Sequence, residues 1–177
     1  MRLRTIPVTV FLLLFFCGIG IAAPPPDPCV LPDALQREIA RQYPGAKVVE
    51  LSDLEAEDRT LFEGDHGKAC PGLVKVDFYG DRKPTLALVL IGKTAAPNDA
   101  ELVIARQTDG KWKATLLETA KSSLPVVWSD SPGTYTDVYG NKKIRARRPV
   151  IVFCGYGSWA ILYAWTSNKV EKIWLAD

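Results

Sequence analysis

The densest charge cluster of the chain is a basic segment in its C-terminal part, which contains Lys142, Lys143, Arg145, Arg147 and Arg148. On a strand, alternate side chains point to the same face, so Lys143, Arg145 and Arg147 would share a surface. One interpretation is a solvated edge strand whose cations discourage edge-to-edge pairing. Another is pairing with the acidic segment 53–65 of the same chain. The functional interpretation is a docking surface for an acidic partner protein or an anionic envelope polymer, with Arg145, Arg147 and Arg148 as contact residues.

A second candidate site is aromatic, because all five Trp lie from Trp112 onward. Exposed rings suit a carbohydrate ligand, since the C–H face of a sugar packs against an aromatic plane. Tyr156 and Trp159 stand beside glycines at a predicted turn and are therefore the best candidates for exposed rings that bind a carbohydrate or a cell-wall polymer. Strand alternation, as along residues 160–165, favours a core position for most other rings, including Trp112, Trp165 and Trp174.

A turn between two apolar segments carries acidic residues at the spacing of cation ligands. It reads Val76-Asp77-Phe78-Tyr79-Gly80-Asp81-Arg82-Lys83-Pro84-Thr85. Residues 77–85 resemble the calcium loop of the FG-GAP/VCBS (integrin-like) repeats, in which oxygen ligands at alternate positions surround a hard cation. The resemblance implies that Asp77 is the first metal ligand and Asp81 the third.

The loop departs from that family at three positions. Tyr79 stands where the family has a ligand Asn or Asp, Arg82 where it has the turn Gly, and Thr85 where it has the last Asp. We therefore expect calcium binding to be weak or absent, and we expect no other cofactor. The order of a helix, turn-linked strands and a closing Trp-rich segment is also similar to small exported bacterial proteins. That similarity implies a fold and a compartment but no activity.

Residues that carry catalytic chemistry are few. The chain has one His, His66, and no G-x-S-x-G motif, so a Ser-His-Asp triad is not indicated. His66, Asp65 and Cys70 lack a recognisable metal-ligand spacing. The acidic segment 53–65 offers many carboxylates for hydrolysis, but nothing in the sequence selects two of them. We expect a non-catalytic domain, with a hydrolase that uses these carboxylates as the enzyme alternative.

The first 22 residues are typical of a secretory signal peptide, with Arg2 and Arg4, an apolar stretch over residues 8–21, and small residues up to Ala22. We predict a signal peptide at 1–22, a Pro-rich leader at 23–32, a single domain at 33–177, and a periplasmic or secreted location without a membrane span after cleavage. Loss of Arg2 and Arg4 lowers the 22 Lys and Arg to 20, equal to the 20 Asp and Glu. A net charge of zero argues against nucleic-acid binding.

Three cysteines remain after that cleavage, which permits one internal disulfide and one free thiol. Cys29 and Cys70 stand in loop-like segments, whereas Cys154 ends the apolar run that begins at Val150. We therefore favour a disulfide between Cys29 and Cys70, with Cys154 buried as a small hydrophobic residue.

The elements that position these residues are one helix and many short strands. Asp33 as N-cap, with Gln36 completing a capping box, predicts the start of a helix, which Pro44-Gly45 ends. Residues 52–72 lack a steady period and are predicted as a long acidic loop. From Leu73 onward strand follows strand, with Asp109-Gly110 as the clearest hairpin turn. The predicted fold class is α+β, with one N-terminal helix packed on a predominantly antiparallel β-sheet or meander.

These observations favour an exported, non-catalytic binding domain. The first hypothesis is a protein-binding module, of which an inhibitor or immunity protein that blocks a toxin or envelope enzyme is one form. The alternative is a carbohydrate or cell-wall binding module that uses Tyr156 and Trp159. The expected partner is thus an unidentified protein or an envelope glycan.

Overall fold

The computed structural model describes residues 27–92, 99–121 and 123–177. The predicted signal peptide, the start of the leader and Cys17 lie outside the described residues. The helices are α1 (Asp33–Gln42) and α2 (Ala56–His66), and a 3-10 turn spans Leu51–Asp53. The strands are β1 (Lys47–Val48), β2 (Leu73–Val76), β3 (Thr85–Ile91), β4 (Ala100–Thr108), β5 (Lys111–Ala120), β6 (Val126–Asp130), β7 (Gly133–Thr136), β8 (Lys143–Ala146), β9 (Val150–Gly155), β10 (Trp159–Thr166) and β11 (Lys169–Ala176).

The strands of the described residues form two antiparallel sheets and a separate hairpin. The first sheet has the order β1-β3-β4-β5, and β2 also pairs with β3. The second sheet has the order β11-β10-β9-β6, and β7 pairs with β8. Neighbouring strands in the chain pair through short turns, among them Asp109-Gly110, where both residues have positive φ as predicted for a hairpin turn.

The two sheets pack face to face, and their inner faces supply most of the central core. Leu102 and Ile104 of β4 belong to the same buried cluster as Phe153 of β9 and Tyr163 of β10. Because other elements cover the outer faces as well, β3 and β9 are buried on both sides, which explains their uninterrupted apolar runs.

The outer faces are covered by different elements. Helix α1 places Leu35 and Ile39 on the first sheet, and the β7–β8 hairpin places Ile144 and Ala146 on the second. The layers are therefore helix, sheet, sheet and hairpin. This arrangement confirms the α+β class with an N-terminal helix on a predominantly antiparallel sheet.

Two local predictions were wrong. The segment predicted as an acidic loop contains α2, which is held by the fully buried ring of Phe62 rather than by an apolar stripe. Helix α1 begins at Asp33 itself, and its N-cap residue is Pro32 without a side-chain capping bond. The capping box between Asp33 and Gln36 therefore does not form, and the Pro32 carbonyl accepts the amide of Gln36 instead.

The predicted disulfide between Cys29 and Cys70 is confirmed. It joins the segment before α1 to the turn before β2 and closes a loop with a sequence separation of 41. For a loop of that length the chain-entropy argument assigns about 4 kcal/mol of stabilisation. Leu31, predicted as leader, is buried in the cluster under α1, so the last leader residues belong to the packed domain.

The third cysteine behaves as predicted. Cys154 is buried and free, and burial, with the nearby carboxylate of Asp58, raises the pKa of its thiol to about 11. Such a thiol is a weak nucleophile at neutral pH. Within residues 27–92, 99–121 and 123–177, no helix has the length and apolar character needed to cross a membrane.

Candidate functional site

The basic cluster lies on the outer hairpin and at its exit. In β8, Ile144 and Ala146 point into the core, whereas Lys143 and Arg145 are exposed. The strand ends at Ala146, so Arg147 lies past it and the predicted face of three cations on one strand is only partly formed. What brings the arginines together is the turn into β9 rather than strand alternation.

Three arginines of this cluster line one cavity of about 450 Å³, which we call the arginine cleft. Its lining is Arg145, Arg147, Arg148, Trp165, Thr166, Ser167 and Asn168. Ser167 and Asn168 have φ values of 47° and 63° and form the tight turn between β10 and β11. Guanidinium groups, an indole ring and short polar side chains therefore surround the same space.

The three arginines differ in how they are held. Arg148 is half-buried and donates a hydrogen bond from Nη1 to the backbone carbonyl of Tyr79. Among the described residues, no salt bridge or hydrogen bond joins the side chain of the exposed Arg145 or Arg147 to another group. The acidic segment does not neutralise them, since Asp53 binds Lys47 at 2.5 Å instead. Two cations thus face the cleft without a counter-charge in the described structure.

The loop at residues 77–85 lies against this cleft. The Oδ1 atom of Asp77 accepts the backbone N–H of Arg82 at 3.2 Å, and Oδ1 of Asp81 accepts that of Lys83 at 3.2 Å. Arg106 binds the second oxygen of Asp81 and holds the pKa of that carboxyl below its usual value. Arg82 has a φ of 61°, the left-handed conformation expected at the turn-Gly position.

The loop therefore uses its carboxylates within the chain. The guanidinium of Arg106 lies beside Asp81, where the resemblance implies a calcium ion. No group of three or more His, Cys, Asp and Glu side chains placed to hold a metal ion occurs in the part of the chain that the structure describes. This donor set does not fit calcium, and Asp77 and Asp81 serve here as hydrogen-bond acceptors that shape a turn.

Tyr79 connects this loop to the arginine cleft. Its ring packs edge-on against Trp165, with 4.8 Å between ring centroids, and the Arg106 guanidinium lies 4.4 Å from the centre of the same ring. The contact between Arg148 and Tyr79 spans a sequence separation of 69. The loop and the basic cluster are each visible in the sequence, but no local pattern predicts that they are in contact.

Tyr156 and Trp159 lie at the opposite end of β10 from the arginine cleft. The strand spans Trp159–Thr166, so about 23 Å of extended chain separates the two ends. Both rings are half-buried against the central core, which corrects the expectation that they are exposed. Burial, with the charge of Asp65, raises the pKa of Tyr156 to about 12.

Trp159 nevertheless lines a second cavity, of about 300 Å³, together with Trp174, Phe153, Ile161, Glu118 and Asp177. We call it the tryptophan groove. Trp174 was predicted in the core, but 36% of it is exposed because it lies on the edge strand β11. Of the two indole rings of this groove, Trp159 was predicted as a site residue from the sequence and Trp174 was not.

A comparison with known proteins finds no matching family model, no similar curated protein and no similar solved structure. The resemblance of residues 77–85 to the FG-GAP/VCBS loop stays a prediction from ten residues of sequence. Its positive φ at Arg82 agrees with the turn of that loop, whereas the contact between Arg106 and Asp81 does not agree with its metal site.

Proposed function

We propose that this chain is an exported binding domain that docks onto an acidic surface of a partner protein through the arginine cleft. The observation that carries the proposal is the pair of exposed guanidinium groups, Arg145 and Arg147, without a counter-charge among the described residues. The disulfide between Cys29 and Cys70 supports export, since such bonds persist in oxidising compartments.

Unpaired cations in a concave site favour an anionic ligand for a physical reason. A guanidinium donates parallel hydrogen bonds to a carboxylate, and such charge-assisted bonds contribute about 1.5–3 kcal/mol each. Arg148 is held by the Tyr79 carbonyl, so it adds positive charge at a fixed position. The guanidinium N–H groups of Arg145 and Arg147 remain available to donate hydrogen bonds to the partner.

The neighbours of these arginines favour a protein as the partner. Arg, Trp and Tyr are enriched at the centres of protein interfaces. Here Trp165 lines the same cavity as the arginines, and Tyr79 supports its ring from behind. The exposed outer face of β8, with Lys143 and Arg145, continues the positive surface beyond the cleft.

The proposal is tested by titrating the purified protein at low ionic strength with a Glu-rich peptide, followed by calorimetry. We expect Arg145→Glu with Arg147→Glu to weaken peptide binding by at least about tenfold, because like charges replace the attraction. The matched control is Lys111→Glu with Lys113→Glu. Both lysines are exposed on β5, outside both cavities, and their reversal changes the net charge equally.

Three results would contradict the proposal. One is no peptide binding by the natural sequence at low salt. Another is an equal loss in the lysine control, which would mean that net charge alone attracts the peptide. The third is tighter binding of an anionic polysaccharide such as polygalacturonate than of the peptide, which would favour a glycan partner.

A further inference from the structure

We propose that the tryptophan groove binds a neutral carbohydrate, at a site separate from the arginine cleft. The groove lies at a seam of the sandwich. Glu118 and Lys121 come from the end of the edge strand β5 and the residue after it, and Trp174 comes from the edge strand β11 of the other sheet. Its volume of about 300 Å³ is at the lower end of the range for small-ligand sites.

Both indole rings line the groove. Trp174 pairs with Ile161 across β10 and β11, where the register shifts between Ala160 and Ile161. Trp159 pairs with Gly155 and Ile161 pairs with Phe153 in regular register, so Trp159 and Ile161 lie on the same face of β10. The groove therefore has an aromatic surface made of two rings and the apolar side chain of Ile161.

Trp159 is held in one orientation before any ligand arrives. Its Nε1 atom donates to the hydroxyl of Ser123 at 3.1 Å, and its ring packs edge-on against Phe153 at 5.0 Å between centroids. A fixed ring loses little conformational entropy when it stacks on a ligand. Sugar rings have an apolar C–H face that packs on such a surface.

The polar side chains of the groove supply acceptors for sugar hydroxyls. The Oε2 atom of Glu118 accepts the Tyr163 hydroxyl at 2.8 Å and the Lys172 ammonium at 2.6 Å. The Tyr139 hydroxyl donates to Asp177. Each carboxylate is thereby oriented and retains acceptor capacity, since a carboxylate has about four lone-pair positions.

The charges around the groove are balanced, which favours a neutral ligand. Lys172 binds Glu118, and Lys121 lines the same space as Asp177. A charged ligand would have to compete with these neighbours, whereas hydroxyl groups donate to the carboxylates without adding charge. This balance is the feature that distinguishes the groove from the arginine cleft.

The inference is tested by calorimetric titration of the purified protein with neutral oligosaccharides of glucose, mannose, galactose and N-acetylglucosamine. We expect at least one of them to bind, with an affinity that hardly changes between low and high salt. We expect Trp174→Ala to raise its Kd by about tenfold and Trp174→Phe to raise it less, because an aromatic face remains.

The controls separate this inference from the proposed function. Leu61→Ala removes an exposed apolar side chain of α2 outside the groove and should leave sugar binding unchanged. Arg145→Glu with Arg147→Glu should also leave it unchanged. If no neutral oligosaccharide binds, or if Trp174→Ala and Leu61→Ala bind equally well, the inference is wrong. Loss of sugar binding in the arginine variant would show that the two sites are not separate.

Discussion

The two ends of strand β10 carry cavities with different electrostatic character, one positive and one with balanced charges. At the end near Thr166 the arginine cleft has exposed cations without counter-charges in the described structure. At the end near Trp159 the tryptophan groove has carboxylates already engaged by Lys172 and Tyr139. The arginine cleft is therefore suited to attract an anionic ligand over a long range, whereas the tryptophan groove is suited to short-range contacts with a ligand.

Charge pairing, more than residue type, distinguishes the two cavities of this chain. Arginine also occurs at residue 106, but there it binds Asp81 and contacts Tyr79, so it stabilises the fold. Glutamate at residue 118 is likewise engaged by its neighbours. A surface attracts an ion of opposite sign strongly where the fold leaves a charge without a partner, and more weakly where the charge is already paired.

The largest expected effect comes from Gly80→Ala, which should disrupt the arginine cleft alone. Gly80 has a φ of 68°, and an added Cβ would lie 2.3 Å from Nε of Arg148. Left-handed strain costs about 1–2 kcal/mol, and loss of the bond between Arg148 and Tyr79 about 1 kcal/mol more. We expect the free energy of unfolding to fall by about 2–3 kcal/mol in urea titrations, with weaker binding of the Glu-rich peptide and unchanged sugar binding.

The matched control for Gly80→Ala is Gly110→Ala. Gly110 has a φ of 73°, and its Cβ would have no heavy atom within 4 Å. It should cause the backbone strain without moving an arginine, and peptide binding should stay unchanged. Equal peptide affinity in both variants would mean that Arg148 does not contribute to the cleft.

A second variant, Gly155→Ala, should disrupt the tryptophan groove alone. An added Cβ would lie 2.3 Å from the Ser123 hydroxyl oxygen and 2.9 Å from Nε1 of Trp159, so it would break the hydrogen bond that orients the ring. Overpacking of this kind costs about 1–3 kcal/mol. We expect sugar binding to weaken in calorimetry, while peptide binding by the arginine cleft remains.

Gly64→Ala provides the control for that substitution. It lies in α2 with no heavy atom within 4 Å of the added Cβ, and it should raise the free energy of unfolding by about 0.5–1 kcal/mol. If Gly155→Ala does not change sugar affinity, the orientation of Trp159 does not contribute to sugar binding in the groove.

The smallest expected effect is a difference in acid sensitivity between the two cavities. Burial acts to raise the pKa of Glu118, but its hydrogen bonds from Lys172 and Tyr163 outweigh burial and lower the pKa below its ordinary value of 4.5. Because the pKa of Glu118 is lower in the folded than in the unfolded protein, its stabilising interactions are complete at pH values above the pKa of the unfolded state. They are lost as the pH falls through the pKa of the folded state. Sugar affinity should therefore be constant at neutral and mildly acidic pH and decrease only at pH values below 4.5, because the pKa of Glu118 lies below that value.

Glu118→Gln checks the assignment of that acid sensitivity. Glutamine does not titrate, so the variant should bind sugar more weakly at neutral pH and should lose the acid-dependent step. The guanidinium groups of the arginine cleft stay charged over the same range. An acid-dependent step of equal size in Glu118→Gln would assign it to another carboxyl group.

Local patterns determined the elements that carry both cavities. Strands β3 and β10 coincide with apolar runs that lie between residues that favour turns. The turn between β10 and β11 has positive φ at Ser167 and Asn168, and short polar residues of these types are common in turns. Helix α2 was missed because only Phe62 among its residues is buried, so its sequence lacks the apolar stripe that indicates a helix.

The candidate sites depended on contacts that no local pattern encodes. The basic segment and the 77–85 loop were both visible in the sequence, but Arg148 meets Tyr79 only because the second sheet packs onto the first. Trp174 was predicted in the core and is nevertheless 36% exposed, since β11 lies at an edge of its sheet. Side-chain alternation determines which face a residue lies on, whereas the order of the strands determines whether another layer covers that face.

Short-range periodicity, turn-forming residue types and the cysteine count were therefore sufficient to predict the fold class, the disulfide and the residue types available for binding. Which charges remain without partners and which rings border a cavity depends on the tertiary structure. Those properties arise where sheets, edges and turns meet, between residues as far apart in the chain as Tyr79 and Arg148.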